Sequence, residues 1–140
     1  MQVCVEIPGR DCLKYEEDTN GNCRLEVIGS SQMVALIRDY KKQSAEVIDL
    51  KNWPLPLGTA PEQMMLRELI LKVQNKWQFP VEDPETCHCR AVPTARVDQA
   101  VVAGAHHIEK IRRWTSANTA CGTCLPEIEK IISYRMKVKD

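Results

Sequence analysis

Two short cysteine motifs, Cys87-His88-Cys89 and Cys121-Gly122-Thr123-Cys124, stand 31 residues apart in this chain of 140 residues. Each pair of thiols closes a small chelate loop at little entropic cost, and a fold that joins the pairs completes a four-thiolate centre. Because thiolates are soft donors, they select zinc or an iron–sulfur cluster over magnesium or calcium. The spacing therefore predicts one metal centre, with a structural four-cysteine zinc site as an alternative to a cluster. Its predicted ligands are Cys87, Cys89, Cys121 and Cys124.

The surroundings of the second motif favour a [2Fe-2S] cluster. Cys121 and Cys124 stand at the start of a predicted helix, and Gly122 lets the backbone turn tightly. A [2Fe-2S] unit with four thiolates is anionic, so free backbone N–H groups and the positive end of a helix would stabilise it. A domain this small usually needs a metal or another staple, so we expect the cluster to be structural as well.

The periodicity after residue 79 predicts an all-helical domain over 80–140. Residues 78–86, with two prolines and three acids, are the predicted linker. Thr94 can cap a first helix that ends at Gly104. The apolar stripes of the three helices are predicted to be Val97, Ala100 and Val101, then Ile108, Ile111 and Thr115 with Trp114 in the core, then Leu125, Ile128, Ile131 and Ile132.

Residues 1–79 read as a small α/β domain of short strands and two helices, so the fold class of the whole chain is α+β. Strands are predicted over 3–7, 12–16, 23–28 and 45–50, with a turn around Asn20-Gly21. Ser30 or Ser31 can cap the first helix, and Pro61 suits the first turn of the second. The stripe of the second helix is predicted to be Leu66, Leu69, Ile70, Val73 and Trp77.

Three further cysteines, Cys4, Cys12 and Cys23, lie on predicted strands at wide spacings. Buried cysteine behaves as a small apolar residue, and we interpret all three in that way. His88 lies between two candidate ligands, so its side chain is expected to point away from the metal into solvent. Ligation by histidine is unnecessary where four cysteines are present.

The spacing of the four cysteines carries a resemblance to a known family. Cys87-x-Cys89, then 31 residues, then Cys121-Gly-x-Cys124 at the entry to a helix, resembles the bacterioferritin-associated ferredoxin-like (BFD-like) [2Fe-2S] domain. The similarity covers residues 87 to about 134 and includes Gly104 between two helices. It implies a helix-turn-helix module whose cluster lies near the surface on four cysteines, in proteins of electron transfer or cluster assembly.

A weaker resemblance links the whole chain to a shortened, degenerate NifU-type scaffold. Strands around a turn, the segment 28–37 and a later amphipathic helix are similar to the U-type scaffold, which precedes a BFD-like domain in those proteins. The chain departs from that pattern because Ser30 stands where a scaffold cysteine is expected, and no His-Cys pair precedes the later helix. The resemblance therefore implies an accessory in which assembly activity has been lost.

Composition and charge set limits on the function. The apolar fraction of 44% is typical of a globular protein, and no run of 18 apolar residues exists. The N-terminal residues show no signal sequence, so a cytoplasmic location is expected, where cysteines stay reduced. Residues 1–86 hold 10 Lys/Arg and 14 Asp/Glu for a net charge of −4, and residues 87–140 hold 9 and 5 for +4. The asymmetry indicates either two modules with different surroundings or an acidic partner for the second half.

Several function classes have little support. The basic residues lack the density of a nucleic-acid footprint, and no membrane contact is indicated. No nucleophile–base pair, phosphate loop or paired-carboxylate motif appears, so no enzyme is predicted. We expect a [2Fe-2S] protein that passes one electron at a time to a redox partner or another iron–sulfur protein. The alternatives are a NifU-type assembly or storage accessory and a zinc-stapled interaction protein; no pattern names the partner or sets the oligomeric state.

Overall fold

The computed structural model describes residues 1–136 and divides the chain into two compact units. The first comprises Met1–Gly58 and Glu62–Trp77, and the second comprises Thr59–Pro61 and the described residues from Gln78 onwards. No helix in the described part of the chain is long and apolar enough to cross a membrane.

The first unit begins with a three-stranded antiparallel sheet in the order β1-β2-β3, which consists of β1 (Gln2–Ile7), β2 (Asp11–Glu17) and β3 (Cys23–Ile28). Side chains alternate between a buried and an exposed face, so Val5, Leu13 and Leu25 enter the core. The turn between β2 and β3 is closed by Asp18, whose carboxylate accepts the backbone N–H groups of Asn20 and Asn22. These three predicted strands are confirmed.

Two helices complete the first unit, α1 (Ser31–Gln43) and α2 (Pro61–Val73). Ser30 caps α1, because its hydroxyl accepts the backbone N–H of Met33 at 3.3 Å. The α2 stripe that was predicted from Leu66 to Val73 is buried, whereas Trp77 follows the helix and is only half-buried. Burial of α2 extends well beyond that stripe, to include Arg67 and Glu68.

The strand predicted over 45–50 is wrong. Ala45 and Glu46 have φ angles of 53° and 62°, a left-handed conformation that an extended strand does not contain. The N–H of Glu46 bonds to the carbonyl oxygen of Lys41 at 2.7 Å, so this segment terminates α1. Leu50, which follows this segment, lies in a turn and is nevertheless buried. An apolar side chain can enter the core without belonging to a strand.

The second unit is not all-helical, which corrects the prediction for 80–140. A short antiparallel pair, β4 (Glu85–Cys87) and β5 (Val92–Pro93), precedes α3 (Thr94–Ala103), α4 (Ile108–Thr115) and α5 (Leu125–Met136). Thr94 is the first helical residue and does not cap α3; its hydroxyl instead contacts Thr86 Oγ1 at 2.7 Å and donates to the carbonyl oxygen of Asp83. These bonds hold β4 against the start of α3.

The three helices of the second unit enclose their own apolar core. Its buried members include Cys87, Val92, Val97, Val101, Ile111, Cys124, Ile128 and Ile131. Gly104 ends α3 with a φ of 127°, as its position predicted. Trp114 is 47% exposed, so the prediction that it belongs to the core is wrong; the buried side of α4 holds Ile111 and Thr115.

Candidate metal centre

The second unit brings the four predicted ligands together from two loops. Cys87 ends β4 and Cys89 follows in the turn to β5, while Cys121 and Cys124 lie in the connection from α4 to α5. The thiol of Cys89 donates to the Cys121 sulfur at 2.9 Å. Cys124 acts on the Cys87 sulfur and helps to lower its pKa, so each cysteine of the first motif has a neighbour in the second.

The two pairs differ in their access to solvent. Cys87 and Cys124 are 2% and 6% exposed and belong to the helical core, whereas Cys89 and Cys121 are exposed. A metal group that spans both pairs would therefore have one side in the apolar core and the other side at the protein surface.

The spacing of the sulfurs separates the two candidate metal groups. Around one tetrahedral zinc with Zn–S bonds of about 2.3 Å, all four sulfurs lie about 3.8 Å from one another. In the described part of the chain, no three of these four sulfurs fall within 4.8 Å of one another. This arrangement is less suited to four thiolates on one zinc than to two metal ions with two thiolates each, which is the ligand arrangement of a [2Fe-2S] cluster.

Backbone N–H groups converge on the buried pair. Burial alone would raise the pKa of Cys87, but backbone donors from Asn118, Arg90 and Cys89 outweigh it and lower that pKa. Burial and the neighbouring Cys87 raise the pKa of Cys124, although the Asn118 N–H also acts on its sulfur. Donors fixed on sulfur in this way stabilise a thiolate or an anionic cluster, and they help set the reduction potential.

The two exposed cysteines, Cys89 and Cys121, have pKa values that are shifted in opposite directions. The Cys89 thiol, the Thr123 hydroxyl at 3.0 Å and the Thr123 backbone N–H lower the pKa of Cys121 to about 7. The pKa of Cys89 is raised, mainly because its proton is shared with the Cys121 sulfur. Cys121 therefore becomes a thiolate at a lower pH than Cys89 does.

The loop that carries the donors depends on left-handed backbone at several positions. Ser116, Asn118 and Gly122 have φ angles of 66°, 61° and 74°. Arg112 fixes this loop, since its guanidinium donates to the carbonyl oxygen and to Oδ1 of Asn118, both at 3.2 Å. Sequence reasoning missed Asn118 and Arg112; the signal that was available is the tolerance of asparagine for positive φ.

Asn118 also provides a test of whether the site fits a non-protein group. Its side chain lies near Gly122, where an added Cβ would stand 3.7 Å from Oδ1. Its Nδ2 is buried without a hydrogen-bond partner among the described residues. Buried donors are nearly always paired, so a free donor next to four cysteines is consistent with an acceptor supplied by a cluster.

The histidine between the first two cysteines lies outside the site. His88 is exposed, with Nδ1 at 2.6 Å from Glu85 and Nε2 at 3.3 Å from Asp83. These carboxylates raise the pKa of His88, through the Glu85 hydrogen bond first. The expectation that its side chain points into solvent is confirmed.

Comparison with known proteins bears on the same segment. Residues 86–133 match the family model described as the BFD-like [2Fe-2S] binding domain. No curated protein and no solved structure matches the chain. The matched segment contains the four candidate ligands, both loops and the three helices up to Ser133 of α5. Residues 86–133 of this chain are therefore similar to the BFD-like [2Fe-2S] binding domain.

Proposed function

We propose that this protein carries single electrons between protein partners on one [2Fe-2S] cluster bound by Cys87, Cys89, Cys121 and Cys124. The observation that carries the proposal is the division of the ligands into a buried pair and an exposed pair. A group that spans both pairs is anchored in the core and still reaches the surface, where a partner can approach it.

The residues around the site have distinct parts in this function. The cluster supplies the one-electron chemistry when bound, since its iron changes oxidation state. The backbone N–H groups of Arg90 and Asn118 hold negative charge on the inner sulfurs. Thr123 does the same at Cys121. The apolar core behind Cys87 and Cys124 excludes water from the inner side.

The expected partner is an acidic redox protein or another iron–sulfur protein. The excess of Lys and Arg in residues 87–140, which carry a net +4, supports this choice. Attraction between opposite charges speeds encounter and weakens as salt rises, so electron exchange should slow at higher ionic strength. We propose a cytoplasmic location, where the exposed thiols Cys89 and Cys121 stay reduced before the cluster is inserted.

The first experiment measures the metal content of protein purified without oxygen. We expect about two irons and two acid-labile sulfides per chain, with visible absorption from thiolate-bound iron. Serine at any of the four proposed ligands should abolish or badly destabilise the cluster. Serine at Cys23, which contacts Tyr15 in the first unit, is the matched control and should leave the spectrum intact. A colourless protein with one zinc and no labile sulfide would refute the proposal.

A cluster-assembly accessory of the NifU type is the second candidate. The order of an antiparallel sheet, two helices and then a BFD-like domain favours it. At the position where a scaffold cysteine is expected, however, Ser30 serves as the cap of α1. A scaffold releases its cluster, whereas a carrier keeps it through redox cycles.

The two candidates differ in where the iron goes. Holo-protein mixed with an apo-ferredoxin should retain its iron and undergo reversible one-electron reduction. Rapid and complete transfer of the cluster to the acceptor would instead establish the assembly role.

A further inference from the structure

A second group of metal-ligating atoms lies in the first unit, among residues that the BFD-like match does not include. Cys4 Sγ, a Glu6 carboxylate oxygen and Cys12 Sγ all lie within 4.8 Å of one another. The two sulfurs are 3.9 Å apart. In the part of the chain that the structure describes, this is the group of three potential metal ligands whose ligand atoms all lie within that distance.

The register of the sheet creates the group. Glu6 on β1 is directly opposite Cys12 on β2, and Cys4 stands two residues before Glu6. Side chains two residues apart on a strand share a face, so all three project from the same side of the sheet. That side is exposed, since Val5 and Leu13, their neighbours in sequence, are the residues that enter the core.

The distances suit a zinc-class ion. Two thiolates on a tetrahedral zinc, with bonds of about 2.3 Å, lie about 3.8 Å apart. The observed 3.9 Å between Cys4 Sγ and Cys12 Sγ is close to that separation. A disulfide would require the same sulfurs to approach to about 2.05 Å. The present contact between two thiols thus already has the separation that two ligands of one zinc ion would need.

We propose that Cys4, Glu6 and Cys12 bind one zinc-class divalent ion through two thiolates and one carboxylate. Three negatively charged ligands more than neutralise the ion, and sulfur donors select zinc over magnesium and calcium. This inference is independent of the function proposed for the second unit.

The site has an open side. Glu6 and Cys12 also line a surface pocket together with Gly9, Arg10 and Ile28. Three protein ligands leave the fourth tetrahedral position to water or to a donor from outside. An exposed ion with an open position exchanges more readily than one in a closed structural site, so the site is suited to reversible zinc binding.

The test uses the cluster-loaded full chain under a mild reductant that does not bind zinc. The protein is dialysed against zinc in slight molar excess, and zinc and iron are then measured together. We expect about one zinc per chain with the iron content unchanged. The double variant Cys4→Ser/Cys12→Ser should lose this zinc, whereas Cys23→Ser should keep it.

Two further measurements identify the ligands. Glu6→Gln should weaken zinc binding about tenfold or more, with unchanged circular dichroism. Substitution of cadmium-113 for zinc should give one NMR resonance in the range of two-sulfur coordination, and it should vanish in the double variant.

Three results would overturn the proposal. One is equal zinc content in the wild type and the double variant. Another is zinc uptake that matches iron loss, which would place the zinc on the cluster cysteines. The third is a chain that binds no zinc under these conditions; a Cys4–Cys12 disulfide formed in air would then assign the pair to redox chemistry.

Discussion

Arg135 of α5 donates two parallel hydrogen bonds to Asp98 of α3, from Nε to Oδ1 at 2.7 Å and from Nη2 to Oδ2 at 2.6 Å. The Arg135 side chain is 5% exposed and that of Asp98 is 19% exposed. Because α5 begins directly after Cys124, this pair fixes the helix that follows the second cysteine motif.

Removal of the Arg135 side chain should therefore loosen the metal centre. Arg135→Met leaves the partly buried Asp98 carboxylate without this partner, and loss of hydrogen bonds to a charged group costs about 1.5–3 kcal/mol. The free energy of unfolding, followed by loss of the visible absorption in denaturant, should fall by that order. Lys130→Met, which removes an exposed positive charge from the same helix, is the control and should change it little. An equal effect of both variants would contradict the argument.

Asn118 can be tested by two substitutions that separate its backbone from its side chain. Asn118→Gly keeps the left-handed φ of 61° and the N–H donor but removes the amide. We expect the cluster to bind with a shifted reduction potential, because a buried donor is lost. Asn118→Val should lower cluster stability more, since a β-branched residue in this conformation costs about 1–2 kcal/mol.

Protein-film voltammetry and the rate of iron release to a chelator measure these two effects. If the glycine variant loses its cluster as fast as the valine variant, the loss of the Asn118 amide matters more for cluster stability than the strain of the left-handed backbone.

Removal of the metal should unfold much of the second unit. The helices are short and the core is small, so the cluster has to compensate for chain entropy. We expect chelation of the iron to reduce the helical circular dichroism and reconstitution to restore it. The sheet of the first unit, which contains none of the four ligands, should keep its signal.

Alkylation of the four thiols distinguishes a metal-free second unit that stays folded from one that unfolds. If the metal-free loops kept their fold, the pKa of Cys121 would stay at about 7 and this thiol would be alkylated first near neutral pH. Uniform, slower alkylation of all four cysteines is expected from an unfolded segment, in which their pKa values are near 8.5.

High pH should destabilise the first unit through Tyr15. Burial, followed by the contact of its hydroxyl with Cys23 at 3.1 Å, raises the pKa of Tyr15 well above its usual value. An unfolded tyrosine ionises near pH 10, so the native state retains this proton longer than the unfolded state does. The contribution is complete below about pH 10 and falls as the pH rises above it.

Denaturant unfolding across this range should show a steeper fall in stability for the wild type than for Tyr15→Phe. Parallel pH profiles for the two proteins would show that Tyr15 does not cause the alkaline loss.

Local patterns predicted much of the fold. The alternation in 3–7, 12–16 and 23–28 gave the three paired strands, and the cap at Ser30 gave the start of α1. The failure at 45–50 has a physical reason, because apolar side chains such as Leu50 can be buried from a turn as well as from a strand. β4 and β5 were missed because they are three and two residues long and have no periodicity to detect.

At the candidate site, spacing predicted four candidate ligands, which the structure brings to two neighbouring loops, but it did not predict their environment. The two cysteine motifs are local signals, whereas the pairing of Cys89 with Cys121 depends on how two distant loops meet. The donors from Asn118 arise from backbone conformation, which leaves only a weak trace in the sequence. Cys4 and Cys12 appeared to be isolated thiols, because their proximity depends on the register between β1 and β2.

The pairing of each cysteine with a partner from the other loop also affects the timing of biosynthesis. Cys124 is added 35 residues after Cys89. At about 5–20 residues per second, this interval lasts roughly 2 to 7 seconds. During that time the first motif emerges with neither of its partners, so it can hold an iron ion only transiently. If all four cysteines bind the cluster, it can be completed only after the second motif has been translated.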